Sequence, residues 1–369
     1  MLKAAGVFVI GGGPAGLAAA IAARQQGFRV AVADGAKPPI DKACGEALLP
    51  EAVAALANLG VEVPATDACR LRGVRFLSSG LSADALFPSG CRGLSVRRTT
   101  LHSVLTERAT ELGVDLLWQT AVSGISGQEV QLKDRAIRAQ WIIGADGSNS
   151  RVRRWAGLDS HSRGHVRYAF RQHYRVRPWT DRLEVYWGER SQAYATAVGD
   201  ELMCVAVASG NPSLRLEDCL PEFSELQARI GSAQVASSER GALTANRKLK
   251  RVWRKNVALI GDASGTVDAI TGEGLGLSFR QALALGECLK KGNLAAYQVE
   301  HRRLALRPRL MARLMLTLDG RPAFQQRTLQ VFRSRPDIFR RLVALHVGEV
   351  SPLHLAVDGV TLGWELLTA

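Results

Sequence analysis

Val7-Phe8-Val9-Ile10-Gly11-Gly12-Gly13-Pro14-Ala15-Gly16 opens the chain, and its reading decides the fold. The run from Gly6 to Ile10 is apolar and of strand length, while Ala15 to Gln26 is rich in alanine and favours helix. Gly11-x-Gly13-x-x-Gly16 joins the two. Gly11 permits a tight turn, Gly13 lets the backbone approach a pyrophosphate, and Gly16 lets helix and strand pack closely. The helix N-terminus after Gly13 then offers free N–H groups and a positive dipole end to phosphates. A second apolar strand, Phe28 to Ala33, ends in Asp34, an acid placed to bind ribose hydroxyls. In this order, strand, helix and acid read as a dinucleotide cradle.

Outward from the cradle, the 369 residues allow one large or two interleaved domains with substantial cores. Hydrophobic residues at 47% and charged ones at 22% are ordinary for a soluble globular protein. No apolar run reaches the roughly 18 residues of a spanning helix. The apolar N-terminus stops at Gly11 without a cleavage-like site and reads as a strand, not a signal peptide. Cys44, Cys69, Cys91, Cys204, Cys219 and Cys288 form no CxxC pair and no disulfide framework, and the seven histidines show no ligand-like spacing. The expectation is a reduced, cytoplasmic chain without a metal.

The net charge of +14 is less ordinary. It gathers in Arg151 to Arg154, in Arg247 to Lys255, and in the arginines from Arg302 to Arg341. One reading is solvated surface; the sharper ones are an anionic membrane surface or an acidic partner. Nucleic acid is not expected, because the basic runs lack a recognition motif or a platform of stacking aromatics. Leu304 to Leu318 mixes apolar residues at helical spacing with Arg307, Arg309 and Arg313. A helix starting near Arg307 would hold Pro308 in its first turn. Its apolar stripe either packs on the nucleotide domain or lies peripherally on the inner face of a membrane.

Elements of one nucleotide-binding domain are interrupted along the chain. A helix is expected from Pro50 to Leu59, β-like sequence over 70–92, a helix from Arg98 to Leu112, a strand from Asp115 to Gln119, and a hairpin over 120–140. Trp141 to Ala145 reads as a buried strand, and 163–210 is alternating and aromatic, as in antiparallel strands. Val257 to Ile260 returns to apolar strand before a helix from Gly274 to Lys290. The fold class is therefore α/β: a Rossmann-like domain with an inserted, mainly antiparallel β-sheet domain and a helical C-terminal region. The expected ranges are 1–67, 93–160 and 246–295 for the first, 68–92 and 161–245 for the second, and 296–369 for the third.

Val257-Ala258-Leu259-Ile260-Gly261-Asp262-Ala263 has no use in a nicotinamide-only dehydrogenase, and with the cradle it points to FAD. Three further stretches agree: Arg98-Thr-Thr-Leu101-His-Ser-Val-Leu105, Asp146-Gly147-Ser148-Asn149-Ser150-Arg151, and Thr271-Gly272-Glu273-Gly274-Leu275-Gly276. Over roughly residues 1–290 the chain resembles the glutathione-reductase-like FAD fold of the para-hydroxybenzoate hydroxylase superfamily. That superfamily includes aromatic hydroxylases, flavin halogenases and geranylgeranyl reductases. The resemblance implies that Arg98 looks toward the pyrophosphate, where its fork suits phosphate. It places Asp146 near the pyrophosphate, Asp262 on the ribityl chain, and the helix start at Gly274 and Leu275 at the flavin ring. The implied cofactor-binding set is Gly11, Gly13, Pro14, Ala15, Gly16, Asp34, Arg98, Val122, Asp146, Asp262, Gly274 and Leu275. No His- or Cys-linked attachment motif is recognisable, so the FAD is expected to be noncovalent.

Ala43-Cys44-Gly45-Glu46 is similar to a loop beside the isoalloxazine in the geranylgeranyl reductase branch. There Cys44 would contact the flavin face, and Glu46 would organise the loop or supply a proton. That branch also carries a Tyr-x-Trp-x-Phe-Pro block. Here Gln192-Ala193-Tyr194-Ala195-Thr196-Ala197-Val198 keeps Tyr194 but neither the tryptophan nor the proline. Cys44, Glu46 and Tyr194 are the candidate catalytic residues. The favoured expectation is an NAD(P)H-using monooxygenase acting on a hydrophobic aromatic or polyketide-like molecule. The rival reduces carbon–carbon double bonds of an isoprenoid or polyketide, and a third reading is a flavin-binding protein that turns nothing over.

Overall fold

The computed structural model describes residues 4–350, apart from the side chains of residues 161–163 and 165. Strand Ala4–Ile10 lies inside a parallel sheet with both faces covered, and Val7, Phe8 and Val9 are fully buried. Among the described residues the sheet runs Trp253–Arg254, Val257–Leu259, Ala136–Gly144, Ala4–Ile10, Val30–Ala33, Asp115–Leu117. Only the edge strand Trp253–Arg254 is antiparallel to its neighbour on this path. Helix Pro14–Gln25 packs between this sheet, helix Arg98–Glu111 and helix Gly274–Lys290. Its alanines from Ala18 to Ala23 are buried, and a Cβ on Gly286 would lie 3.1 Å from the Ala22 carbonyl, so small residues set that helix spacing. The second strand starts at Val30, not Phe28. The Phe28 N–H instead closes the preceding helix on the Ala23 carbonyl, and Gly27 turns the chain at φ +87°.

The second sheet runs Gly265–Thr266, Arg240–Leu249, His161–Arg175, Leu202–Ser209, Ser191–Gly199, Leu183–Trp187, Gly73–Ser78, Leu81–Leu86. Its one parallel pairing, Leu183–Trp187 on Gly73–Ser78, brings the early hairpin beside strands that follow about a hundred residues later. Strand Ser191–Gly199 is covered on both faces. Ala193, Ala195 and Ala197 pack toward Phe223 and Leu226, while Tyr194 points the other way, toward the C-terminal helices. A small sheet of Ala47–Leu48, Gly93–Val96 and Ala68–Leu71 joins the two bodies.

The C-terminal region differs from expectation in one respect. Its first helix spans Leu294–Leu318, with Pro308 inside and buried rather than in the first turn. Asn293 starts it earlier by accepting from the Ala296 N–H at 3.0 Å, and buried Tyr297, His301 and Ala305 hold that first half on the nucleotide domain. Helices Pro322–Ser334 and Pro336–His346 then cover the Gly73–Leu86 hairpin, with Phe332 and Phe339 stacked at 4.4 Å. The expected helical content of residues 351–369 lies outside the described residues. No described helix is long and apolar enough to cross a membrane.

Candidate cofactor and substrate site

One continuous cavity of about 720 Å³ runs from the cradle to the C-terminal helices. At the cradle end the three glycines have separate tasks. A Cβ on Gly11, at φ +110°, would lie 2.4 Å from the Ala145 carbonyl, and one on Gly16 would lie 1.8 Å from the Gly11 carbonyl. Both are packing glycines, and Gly16 does not border the cavity. Gly13 does, and a Cβ there would meet nothing within 4 Å. Gly13 is also the N-cap of helix Pro14–Gln25 and supplies no side-chain cap; Pro14 has no N–H to offer, so the first-turn donor that borders the cavity is the Ala15 N–H. Asp34 accepts from the Gly12 N–H at 2.7 Å and the Ala36 N–H at 2.8 Å, which fixes its carboxylate at the rim with lone pairs left for hydroxyls. Beneath the turn, buried His102 donates from Nε2 to the Gly12 carbonyl at 2.9 Å. Burial lowers its pKa, so the ring stays neutral. The sequence did not single out His102, although it stands one helical turn after Arg98.

Asp262 and Asp146 differ in their partners. Asp262 borders the cavity and pairs with Lys42 Nζ at 3.1 Å, both side chains being nearly half exposed. Asp146 borders it too, but its carboxylate is engaged in capping. It accepts from Ser150 Oγ, from the Arg151 N–H at 2.7 Å and from the Val152 N–H at 3.1 Å. Arg153 locks the two segments together from beneath, donating to the Ala263 carbonyl at 3.2 Å and the Ser148 carbonyl at 3.0 Å. A division of labour follows. Asp262→Ala is expected to weaken FAD binding by about 1.5–3 kcal/mol, the cost of a lost charged hydrogen bond. Asp146→Ala is expected to lower stability by about 1 kcal/mol, as for a lost helix cap, with FAD largely retained. Flavin-to-protein ratios and urea unfolding of both variants check this, and full occupancy in Asp262→Ala contradicts it.

The turn that carries Asp262 is held by a buried histidine. Ser264 Oγ donates to the Gly261 carbonyl at 2.8 Å and accepts from His301 Nε2 at 2.9 Å. Burial, then Arg309 and Arg302, push His301 down to about 3. Its folded pKa lies below the unfolded value of 6.5, so the unfolded chain binds the extra proton. Stability should therefore be complete above about pH 6.5 and fall as pH drops toward 3, by roughly 1.4 kcal/mol per unit. His301→Gln should lack that slope when urea unfolding is compared at pH 7 and pH 5.

At mid-cavity stand the loop 41–46 and the loop before helix Gly274–Lys290. Cys44 is half-buried and borders the cavity; its sulfur accepts the Glu46 N–H at 3.3 Å. Glu46 is 2% exposed, with φ +59°, and its carboxylate accepts from the Arg98 N–H at 2.9 Å and meets His173 Nε2 at 2.7 Å. Arg171, 1% exposed, reaches Asp41, the Lys42 carbonyl and His173 Nδ1. Glu46, His173 and Cys204 thus bring ligand-type atoms within 4.8 Å of one another, a cluster no sequence spacing reveals. The Arg171 guanidinium, 3.2 Å from His173 Nδ1, places a fixed cation in that cluster. Glu46 therefore ties the Cys44 loop to strand His161–Arg175 of the second sheet. Across the cavity, Gly272 and Gly274 have open Cβ directions, Leu275 borders the cavity, and no side chain caps the helix. His346 fastens this loop from the end of helix Pro336–His346, 3.1 Å from the Thr271 carbonyl and 3.5 Å from Glu273.

Tyr194 borders the same space, donating to Gln192 Oε1 at 2.9 Å. Burial raises its pKa strongly, partly offset by Arg167, so the hydroxyl keeps its proton. Val122 lines the rim and is buried. Beyond Tyr194 the walls turn apolar, with Phe76, Val185, Trp187, Phe332, Phe339 and Leu342. The residues present fit FAD: an open-Cβ glycine under a free helix end, an acid at the next strand, and Arg98, whose buried Nε has no hydrogen-bond partner here. When bound, FAD supplies the two-electron redox chemistry.

Residues 4–293 match the FAD binding domain family, and the chain belongs to it. It is an FAD-dependent oxidoreductase. The menaquinone reductase of Mycobacterium tuberculosis (strain ATCC 25618 / H37Rv) is 29% identical over 337 residues, covering 84% of this chain and 80% of that protein. The digeranylgeranylglycerophospholipid reductase 1 of Methanothermobacter thermautotrophicus is 27% identical over 334 residues, 82% and 83% of the two chains. The crystal structure of a flavoprotein/dehydrogenase from Cytophaga hutchinsonii superposes with a TM-score of 0.82 at 21% identity, covering 94% and 93%, which is a likeness of fold.

Proposed function

We propose that this oxidoreductase adds two electrons and two protons across a carbon–carbon double bond in an isoprenoid chain. The observation that carries the reading is the continuity of the cavity. The cradle leads past Cys44 and Tyr194 directly into a chamber walled by Phe76, Val185, Trp187, Phe332 and Phe339. A wall of aromatic and aliphatic side chains holds a hydrocarbon by area and excludes water, and it offers few groups to orient a polar ring. The relatives named for menaquinone and for a digeranylgeranyl lipid support the same substrate class. Tyr194 and Cys44 carry exchangeable protons at the boundary between the cofactor and substrate ends, where the second proton is needed. Gln192, bonded to Asp319 at 3.0 Å, keeps the Tyr194 hydroxyl aimed. The electrons come from a donor outside the chain, for which NAD(P)H suffices.

Hydroxylation uses the same cofactor but needs O2. The two are separated by incubating FAD-loaded enzyme anaerobically with a chemical reductant and a menaquinone or geranylgeranyl lipid. The expected product is heavier by two hydrogens per bond reduced. Turnover only in air, with one oxygen gained, overturns the proposal in favour of the monooxygenase.

A further inference from the structure

We propose that the first half of helix Leu294–Leu318 and the basic segment 247–256 form one docking surface for an anionic lipid bilayer. Two independent features meet there. Val299 and Leu306 are 64% and 63% exposed, among the most exposed large apolar side chains described. They are seven residues apart and share a helix face with exposed Arg302 and Arg303. The segment 247–256 holds six cations and no acid, and Lys248, Lys250, Arg251, Arg254 and Lys255 are exposed. Arg302 Nη2 joins the two by donating to the Lys250 carbonyl at 3.2 Å. The nearby acid on the helix, Glu300, is held by Arg303 at 2.8 Å.

Apolar side chains projecting from a cationic field suit a headgroup layer over hydrocarbon better than an acidic protein, whose rim would leave Val299 and Leu306 in water. The surface is not the one expected from Arg307 to Arg313. Arg307 is turned inward, pairing with Glu51 and, at 3.9 Å, with Glu273. The docking helix is continuous with the cavity wall, since Leu314, Met315 and Leu318 line the chamber. Leu306 and Leu318 are about 18 Å apart along the helix axis at 1.5 Å per residue. A bilayer on this face would thus hold its own lipids near the chamber. The inference rests on the lipid reading above, but binding is measured without substrate or turnover, so the two can fail separately.

The test is co-sedimentation of FAD-loaded enzyme with vesicles of phosphatidylcholine alone or with phosphatidylglycerol. Binding is expected only to the anionic vesicles and is expected to fall with salt. Lys250→Gln/Arg251→Gln/Arg302→Gln should lower partitioning about 100-fold, at about five-fold per cation. Val299→Ser/Leu306→Ser should lower it about ten-fold with charge unchanged. A remote set of equal charge loss, Arg177→Gln/Arg333→Gln/Arg340→Gln, should bind nearly as wild type. Absence of binding to anionic vesicles, equal binding to neutral ones, or equal losses in the remote and surface sets each overturns the proposal.

Discussion

Gly13→Val should fold with near wild-type stability and purify without yellow colour. Gly13 has φ −70° and ψ 178°, an extended conformation that a β-branched residue adopts without strain. A Cβ there meets no atom within 4 Å, so the folded chain offers no clash. The space the methyls would fill is the approach to the first-turn N–H groups, which a pyrophosphate must reach. The cost should fall on the cofactor alone, about 100-fold or more in affinity, which is about 2.7 kcal/mol. Gly16→Ala is the contrast, because its Cβ would lie 1.8 Å from the Gly11 carbonyl and the helix must move. It should lose stability as well as flavin, by about 1–3 kcal/mol. Thermal unfolding of the flavin-free proteins, with flavin-to-protein ratios as purified, checks both. Full occupancy in Gly13→Val would show that the phosphates lie elsewhere.

Glu46→Ala should be the most destabilising single change at the site, by about 3–5 kcal/mol. Removing the carboxylate takes the anion from buried His173, leaves buried Arg171 paired with Asp41, and frees the Arg98 N–H. The positive φ of 59° at Glu46 means that these contacts also hold a backbone conformation most side chains avoid. Glu46→Gln should recover part of the loss, since an amide oxygen can still accept from Arg98 or His173. Urea unfolding decides between the two roles the sequence left open for this residue. A loss of activity with stability within about 1 kcal/mol of wild type would assign Glu46 to proton supply rather than to organising the loop.

Local chemistry made much of this protein legible in advance. A strand–glycine–helix unit and an acid closing the next strand depend on residues close in sequence, so Gly13 and Asp34 could be named from spacing, and Asp262 from the resemblance of its Gly-Asp turn. Helix Gly274–Lys290 was likewise readable at both ends, because glycines begin it and Lys290 to Gly292 close it. The limits of the first helix and second strand shifted by a residue or two where the Ala23–Phe28 turn decided them.

What only the tertiary structure decided were the partners brought together by crossovers. Asp262 and Asp146 each follow a buried strand, and their partners come from packing: one faces Lys42 across the cavity and the other caps a helix. Glu46 meets His173 across 127 residues, and the early hairpin enters the substrate sheet through a parallel pairing that no local turn signal encodes. Pro308 reads locally as a helix start, but Asn293 and the buried face of Tyr297 and His301 begin the helix four turns earlier, because burial outweighs one lost backbone hydrogen bond. Sequence by itself determined the cofactor class and the cradle, whose geometry is short-range. Packing between distant segments determined which charges are structural, which face the cavity, and which helices wall the chamber.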